Sequence, residues 1–142
     1  MTDKYALYRV LAPFRVKRQK VLREARLGVT LQEFQSEIGA GDLKNAAAEY
    51  LWERLREIAF VPDFRPSASD DLGETFALSP DSVRDELVEG LVDHLGINTE
   101  HIDFSGFSFT SIENPRDIVD FVQKVASLDG QPPGTRFVRT IP

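Results

Sequence analysis

Apolar residues recur at three- and four-residue steps in several segments of this chain, which places them on one face of an α-helix in each. The longer periodic segments are 14–27, 43–60, 80–95 and 115–127. A shorter helix over 31–38 is predicted by Thr30 and Glu33, which form a capping-box pair before its apolar residues. The pattern therefore predicts an all-α, or mostly helical, protein.

Two of these helices carry a start signal that is independent of their periodicity. Ser79 precedes Pro80, and Asn114 precedes Pro115. A serine or asparagine at the N-cap accepts a hydrogen bond from the first turn, and proline fits the first helical position because no N–H is needed there. By contrast, the composition of residues 62–69 predicts a loop.

The charge distribution divides the chain in two. Residues 1–30 contain eight basic and two acidic residues, whereas residues 31–142 contain nine basic and twenty-one acidic residues. Such opposite fields either attract each other or serve different partners. We interpret residues 1–40 as a basic, partly helical N-terminal extension, residues 41–128 as the helical domain and residues 129–142 as a C-terminal tail.

Composition narrows the function classes. The chain has no cysteine, which excludes disulfides, thiolate metal sites and thiol catalysis and fits a cytoplasmic protein. There is no apolar run of about 20 residues and no signal-peptide pattern. Neither a nucleophile elbow nor a phosphate-binding loop occurs. His94 and His101 lie near acidic residues but in different predicted elements, so we expect no metal site, no catalytic residues and no enzyme activity.

A series of short motifs follows the 43–60 helix. Asp71-Leu72-Gly73 comes first, then Asp81-Ser82-Val83 at the start of an acidic helix, then Ile102-Asp103-Phe104, and then a final helix. This order resembles acyl carrier proteins, in particular degenerate, uncharacterised small bacterial members of that family. The resemblance implies a carrier-like helical bundle over residues 43–127, with residues 61–78 as its long loop.

In the family, a serine in this position carries phosphopantetheine, and the resemblance implies Ser82 as its counterpart. The family serine follows the Asp-Leu-Gly motif by about three residues, whereas Ser82 lies nine residues after Gly73. Phe76 stands at the family spacing and has no group that could carry the arm. We therefore expect no cofactor, and keep a phosphopantetheine-bearing carrier using Ser82 as an alternative.

The 80–95 helix is strongly acidic, and this suggests how such a protein would act without a prosthetic group. Carboxylates presented to a basic surface give fast, salt-sensitive association. The leading hypothesis is a non-catalytic protein-interaction module that docks a partner with a basic surface; a merely solvated helix face is the simpler alternative. The docking residues would be Asp81, Asp85, Glu86, Glu89 and Asp93.

The basic segment provides a further alternative, a nucleic-acid or anionic-membrane binder acting through residues 9–26. The 43–60 helix carries Glu49, Glu53 and Glu57, which would face phosphates at a cost if that helix entered a groove. These acids argue against nucleic acid as a partner, and the basic residues could instead pair with the chain's own acids. The anion-binding residues would be Arg15, Lys17, Arg18, Lys20 and Arg23.

Overall fold

The computed structural model describes residues 12–100, 102–103, 109–127 and 135–136, and within them the protein is all-α. Phe104 of the predicted Ile102-Asp103-Phe104 motif and nearly all of the predicted tail lie outside the described residues. The helices are α1 Ala12–Ala25, α2 Leu31–Ile38, α3 Asp42–Ile58, α4 Leu72–Phe76, α5 Pro80–Ser82, a π-helical segment Val83–Val88, α6 Glu89–His94, a 3-10 turn Phe109–Ser111, and α7 Pro115–Ser127. One two-residue parallel ladder pairs β1, Ile102–Asp103, with β2, Thr135–Arg136.

The predicted helix starts are confirmed by their capping hydrogen bonds. Each cap side chain accepts from a backbone N–H three residues further on, which satisfies one of the donors that a helix start leaves without a partner. The donor–acceptor distances are 3.3 Å from Glu33 to Thr30, 3.1 Å from Ser82 to Ser79, and 2.9 Å from Asp117 to Asn114.

The loop expected over residues 61–78 is wrong in its second half, where the five-residue helix α4 forms. Asp71 caps this helix, because its Oδ1 accepts from the Glu74 N–H at 2.8 Å. Ala77 ends it in the left-handed region, with φ of 59°. Five residues are too few to show a helical period, so the apolar pattern gave no sign of α4.

The predicted 80–95 helix is present over Pro80–His94, but it is not a regular α-helix. Its middle is π-helical, so that the Glu89 N–H donates to the carbonyl of Arg84, five residues back. Val83, Leu87 and Val88 are buried in this segment. Their spacing suits an α-helix equally well, which is why the pattern could not reveal the change. We call Pro80–His94 the composite helix.

Helix α3 lies at the centre of the bundle and contacts α2, α6 and α7. Phe34 of α2 packs on Trp52 with ring centroids 5.5 Å apart, and both side chains are buried. Ile38 belongs to the same core. The described part of the predicted N-terminal extension is thus continuous with the bundle. The most completely buried large side chains include Phe34, Phe64, Leu51, Leu55, Leu72, Leu87, Leu91, Ile118, Val119, Val122 and Val125.

Helix α1 is attached to the bundle through a buried amide. Gln19 has no exposed surface, and its Nε2 donates to the carbonyl of Thr75 at 2.8 Å. Its Oε1 accepts from the Phe60 N–H, also at 2.8 Å. A single side chain thereby satisfies a buried carbonyl and a partly buried N–H that have left the helical hydrogen-bond pattern.

Helix α6 packs on α3 at a point where a side chain larger than glycine would force Tyr50 to shift. A Cβ built on Gly90 would collide with the Tyr50 hydroxyl oxygen. The Tyr50 ring also stacks on His94, with centroids 5.0 Å apart. The tyrosine therefore crosses the composite helix directly over Gly90, and the position of α6 against α3 depends on this close approach.

We predict that Gln19→Met lowers the free energy of unfolding by about 1–3 kcal/mol, since an apolar side chain of similar length leaves a buried carbonyl and a partly buried N–H without partners. Urea denaturation followed by circular dichroism measures this. Gln32→Met is the matched control, because Gln32 is exposed on α2. Equal stability of the two variants would contradict the bridging role of Gln19.

A second prediction concerns Gly90. Glycine to alanine in an exposed helix normally stabilises by up to about 1 kcal/mol. Here Gly90→Ala should instead destabilise by about 1–2 kcal/mol through overpacking against Tyr50. Adding Tyr50→Phe removes the colliding oxygen and should restore most of the loss, as measured in a double-mutant cycle. Additive effects of the two substitutions would refute the proposed contact.

Candidate functional site

The first two carboxylates of the composite helix surround Arg84. Its Nε donates to Asp85 Oδ1 at 3.0 Å, and its Nη1 lies 3.8 Å from Asp81 Oδ1. The hydrogen bond and charge of Asp85 raise the pKa of Arg84 above its ordinary value, with smaller contributions from Asp81 and Glu89. Asp81 nevertheless keeps 67% of its side chain exposed, whereas Asp85 keeps 29%. Asp81 thus remains accessible to a partner, and Asp85 is largely occupied.

Glu86 is held against the neighbouring helix. Its Oε2 accepts from Arg54 Nη2 at 2.6 Å, and the Arg54 Nη1 also contacts Glu57 at 3.1 Å. Arg54 Nε donates to the Glu86 carbonyl as well, at 3.4 Å. This arginine therefore ties the π-helical segment to α3, and Glu86 serves the packing of two helices.

Glu89 and Asp93 differ from the other three acids. Both are exposed and lie four residues apart on α6, so they share one side of the helix. Neither forms an ion pair or a side-chain hydrogen bond with any residue in the described part of the chain. Behind them Leu91 is fully buried, which fixes the helix that presents them.

Ser82, the predicted attachment residue, points into the protein. Its relative exposure is 0%, and its Oγ lies 3.0 Å from the Ser79 Oγ. The Ser82 N–H also donates to that oxygen, so the two serines together form the start of α5. A modifying enzyme could not reach this hydroxyl without opening the first turn of the composite helix.

Three of the five predicted anion-binding residues contact the protein itself. Arg15 donates to the Gly73 carbonyl at 3.3 Å, and Arg23 donates to the Pro62 carbonyl at 2.9 Å. Arg18 reaches the Thr75 hydroxyl at 3.4 Å. These arginines are directed at the bundle, although Arg18 also stays exposed, as do Lys17 and Lys20.

An ion pair that the sequence patterns did not indicate joins the residue just after α1 to the 62–71 segment. Arg26 donates to both carboxylate oxygens of Asp70, at 2.6 and 2.8 Å. The Asp70 side chain is only 5% exposed and also accepts from the Ser67 N–H at 2.9 Å. The guanidinium lies 5.6 Å from the centroid of the Phe64 ring. Since the partners are 44 residues apart, no local pattern could connect them.

A small cavity of about 180 Å³ opens beside the start of the composite helix. The sequence did not predict it, because three separate segments build it. Its walls come from the first turn of α4, from the residues that lead into the π-helical segment, and from the chain just before α7. The lining residues are Asp71, Leu72, Gly73, Leu78, Pro80, Val83, Ile112 and Glu113. We call it the Val83 pocket.

The described residues form neither a metal-binding cluster nor a membrane-spanning helix. Among the described residues, no three histidine or acidic side chains come together as a metal site would need. His94 stacks on Tyr50, and His101 lies outside the described residues. None of the helices described has both the length and the apolar character needed to cross a membrane.

Comparison of the chain with protein-family models, with curated proteins and with solved structures finds no match in any of the three.

Proposed function

We propose that this protein is a non-catalytic interaction module that docks a basic partner protein through the exposed acids of its composite helix. The observation that carries the proposal is the state of Glu89 and Asp93. They are exposed, four residues apart, and not paired with any described cation. Opposite charges on a partner would gain from meeting this surface without first displacing an internal ion pair.

The internal arginines also support this choice of surface. Arg54 and Arg84 take up Glu86 and Asp85, which leaves those two acids with little to offer a partner. Asp81 adds an exposed carboxylate at the other end of the helix. The docking surface that we propose is therefore Asp81, Glu89 and Asp93, smaller than the five-residue set expected from the pattern.

The other candidate functions receive less support. The burial of Ser82 argues against a carrier that bears phosphopantetheine there. The contacts of Arg15, Arg18 and Arg23 with the bundle weaken a nucleic-acid or membrane binder, because side chains engaged in this way must be released before they can neutralise phosphates. A carrier-like ancestry of the bundle remains part of the proposal, on the strength of its motif order alone.

The proposal predicts that the double charge reversal Glu89→Lys and Asp93→Lys abolishes capture of the partner by the tagged protein. Capture by the wild-type protein should fall as salt rises, because screening weakens exposed charges over about 10 Å at 0.1 M salt. The captured protein is identified by mass spectrometry, and its association rate is measured at several salt concentrations. We expect at least a tenfold slower association for the reversed variant.

The matched control is Glu49→Lys with Glu53→Lys, which makes the same charge change on two exposed residues of α3 that are also four apart. Thermal melting of both variants checks that the fold is intact. If the control variant loses the partner as completely as the α6 variant, net charge alone explains binding and the proposed surface is wrong.

A further inference from the structure

We propose that the Val83 pocket receives one long basic side chain, a lysine or an arginine, from the same partner protein. The aliphatic stem would lie against Leu72, Val83 and Ile112, and the positive group would meet the carboxylates of Asp71 and Glu113. This inference rests on the proposed function, since it assigns an anchor residue to the basic partner that the composite helix attracts.

The size of the cavity limits what can enter it. At about 180 Å³ it exceeds the roughly 150 Å³ at which an apolar cavity holds a benzene molecule. It is smaller than the roughly 300–1,000 Å³ of pockets for cofactors and drug-sized ligands. A single side chain fits this space, whereas a nucleotide does not.

The chemistry of the lining selects a side chain that is apolar along its length and charged at its end. Five of the eight lining residues are leucine, valine, isoleucine or proline, and the two ionisable ones are both acids. Among the residues that the structure describes, no cation lines the pocket, although Arg15 donates to the carbonyl of Gly73 nearby. Lysine and arginine bury their stems on apolar surface while keeping the charge at the rim.

The pocket walls are fixed by backbone hydrogen bonds before any partner arrives. The Leu72 N–H donates to the Glu113 carbonyl at 2.8 Å, and the Leu78 N–H donates to the Leu72 carbonyl at 3.2 Å. The Glu113 N–H in turn donates to Asp117 Oδ2 at 3.0 Å. Because the cavity is already formed, little conformational entropy is lost when a side chain enters it, and this favours binding.

Pro80 and Val83 place the pocket on the composite helix itself. Val83 is the first residue of the π-helical segment, and its neighbour Asp81 is among the exposed acids proposed for docking. One element therefore contributes both a charged surface and a wall of the cavity, so a single basic segment of the partner can use the two together.

The test uses N-acetyl-lysine amide as the probe and the neutral N-acetyl-norleucine amide for comparison. Titration of the whole chain is followed through the methyl NMR signals of Leu72, Val83 and Ile112. We expect saturable shifts with the lysine probe at a dissociation constant of about 1–10 mM, the range for so small a ligand. The norleucine probe should bind at least threefold more weakly.

Glu113→Gln should weaken the lysine probe at least twofold, because it removes one rim charge while Glu113 is exposed and keeps its backbone bonds. Glu49→Gln is the matched control and should change nothing. Absent shifts at these methyls, equal binding of the two probes, or equal effects of the two substitutions would each overturn the assignment.

The experiments distinguish a failure of the proposed docking surface from a failure of the pocket assignment. The lysine probe should still bind the Glu89→Lys, Asp93→Lys variant, because neither residue lines the pocket. If that variant loses the partner but the probe never binds the wild-type protein, the docking surface stands and the pocket assignment falls. If the probe binds but Glu113→Gln captures the partner as well as wild type does, the pocket is not the partner's anchor.

Discussion

The attachment of α1 to the backbone of residues 60–76 is the constraint on which the rest of the structure depends. Few backbone groups of this segment form helical hydrogen bonds, and α4 is too short for its carbonyls to be satisfied within the helix. Long side chains from α1, and from Arg26 just after its end, supply the missing donors. The donors are Arg15 to Gly73, Gln19 to Thr75, Arg23 to Pro62 and Arg26 to Arg65, each to a main-chain carbonyl oxygen. Because Arg26 also neutralises the buried Asp70, removing α1 together with Arg26 would leave a charge and several polar groups without partners.

This arrangement explains how two opposite charge fields coexist on one small chain. The described arginines of α1, with Arg26 just after its end, are directed at carbonyl oxygens, one hydroxyl and one buried carboxylate, and they form no described ion pair with the composite helix. The acidic helix instead uses Arg54 and Arg84, which are its own neighbours. Within the described residues, the basic side chains of α1 and Arg26 therefore stabilise the fold without pairing with the composite helix, and this separation is what makes a docking role for that helix physically reasonable.

The features that sequence could predict are local, and those it missed depend on distant partners. Thr30, Ser79 and Asn114 mark helix starts because a cap and its donor lie three residues apart. The pair of Arg26 with Asp70 and the walls of the Val83 pocket join segments far apart in the chain. The π-helical segment was not predicted for another reason, because its apolar spacing fits an α-helix as well as a π-helix. The docking role of the acids of the composite helix stays a prediction, and the sequence did not predict the pairing of Asp85 and Glu86 with arginines.

Some of the five acids of the composite helix are paired with arginines and others are not, and the small free energies of partly exposed ion pairs explain this difference. A partly exposed ion pair contributes only about 0–1 kcal/mol, so pairing Glu89 or Asp93 internally would have added little to stability. Glu86 gains more, because Arg54 also donates to its main-chain carbonyl and so holds the π-helical segment against α3. Asp85 and Glu86 are paired with arginines, whereas Glu89 and Asp93 are exposed to solvent. Because the inner face of the composite helix is packed, the backbone that carries the exposed carboxylates is already fixed, and only side-chain freedom is lost when they bind a cation.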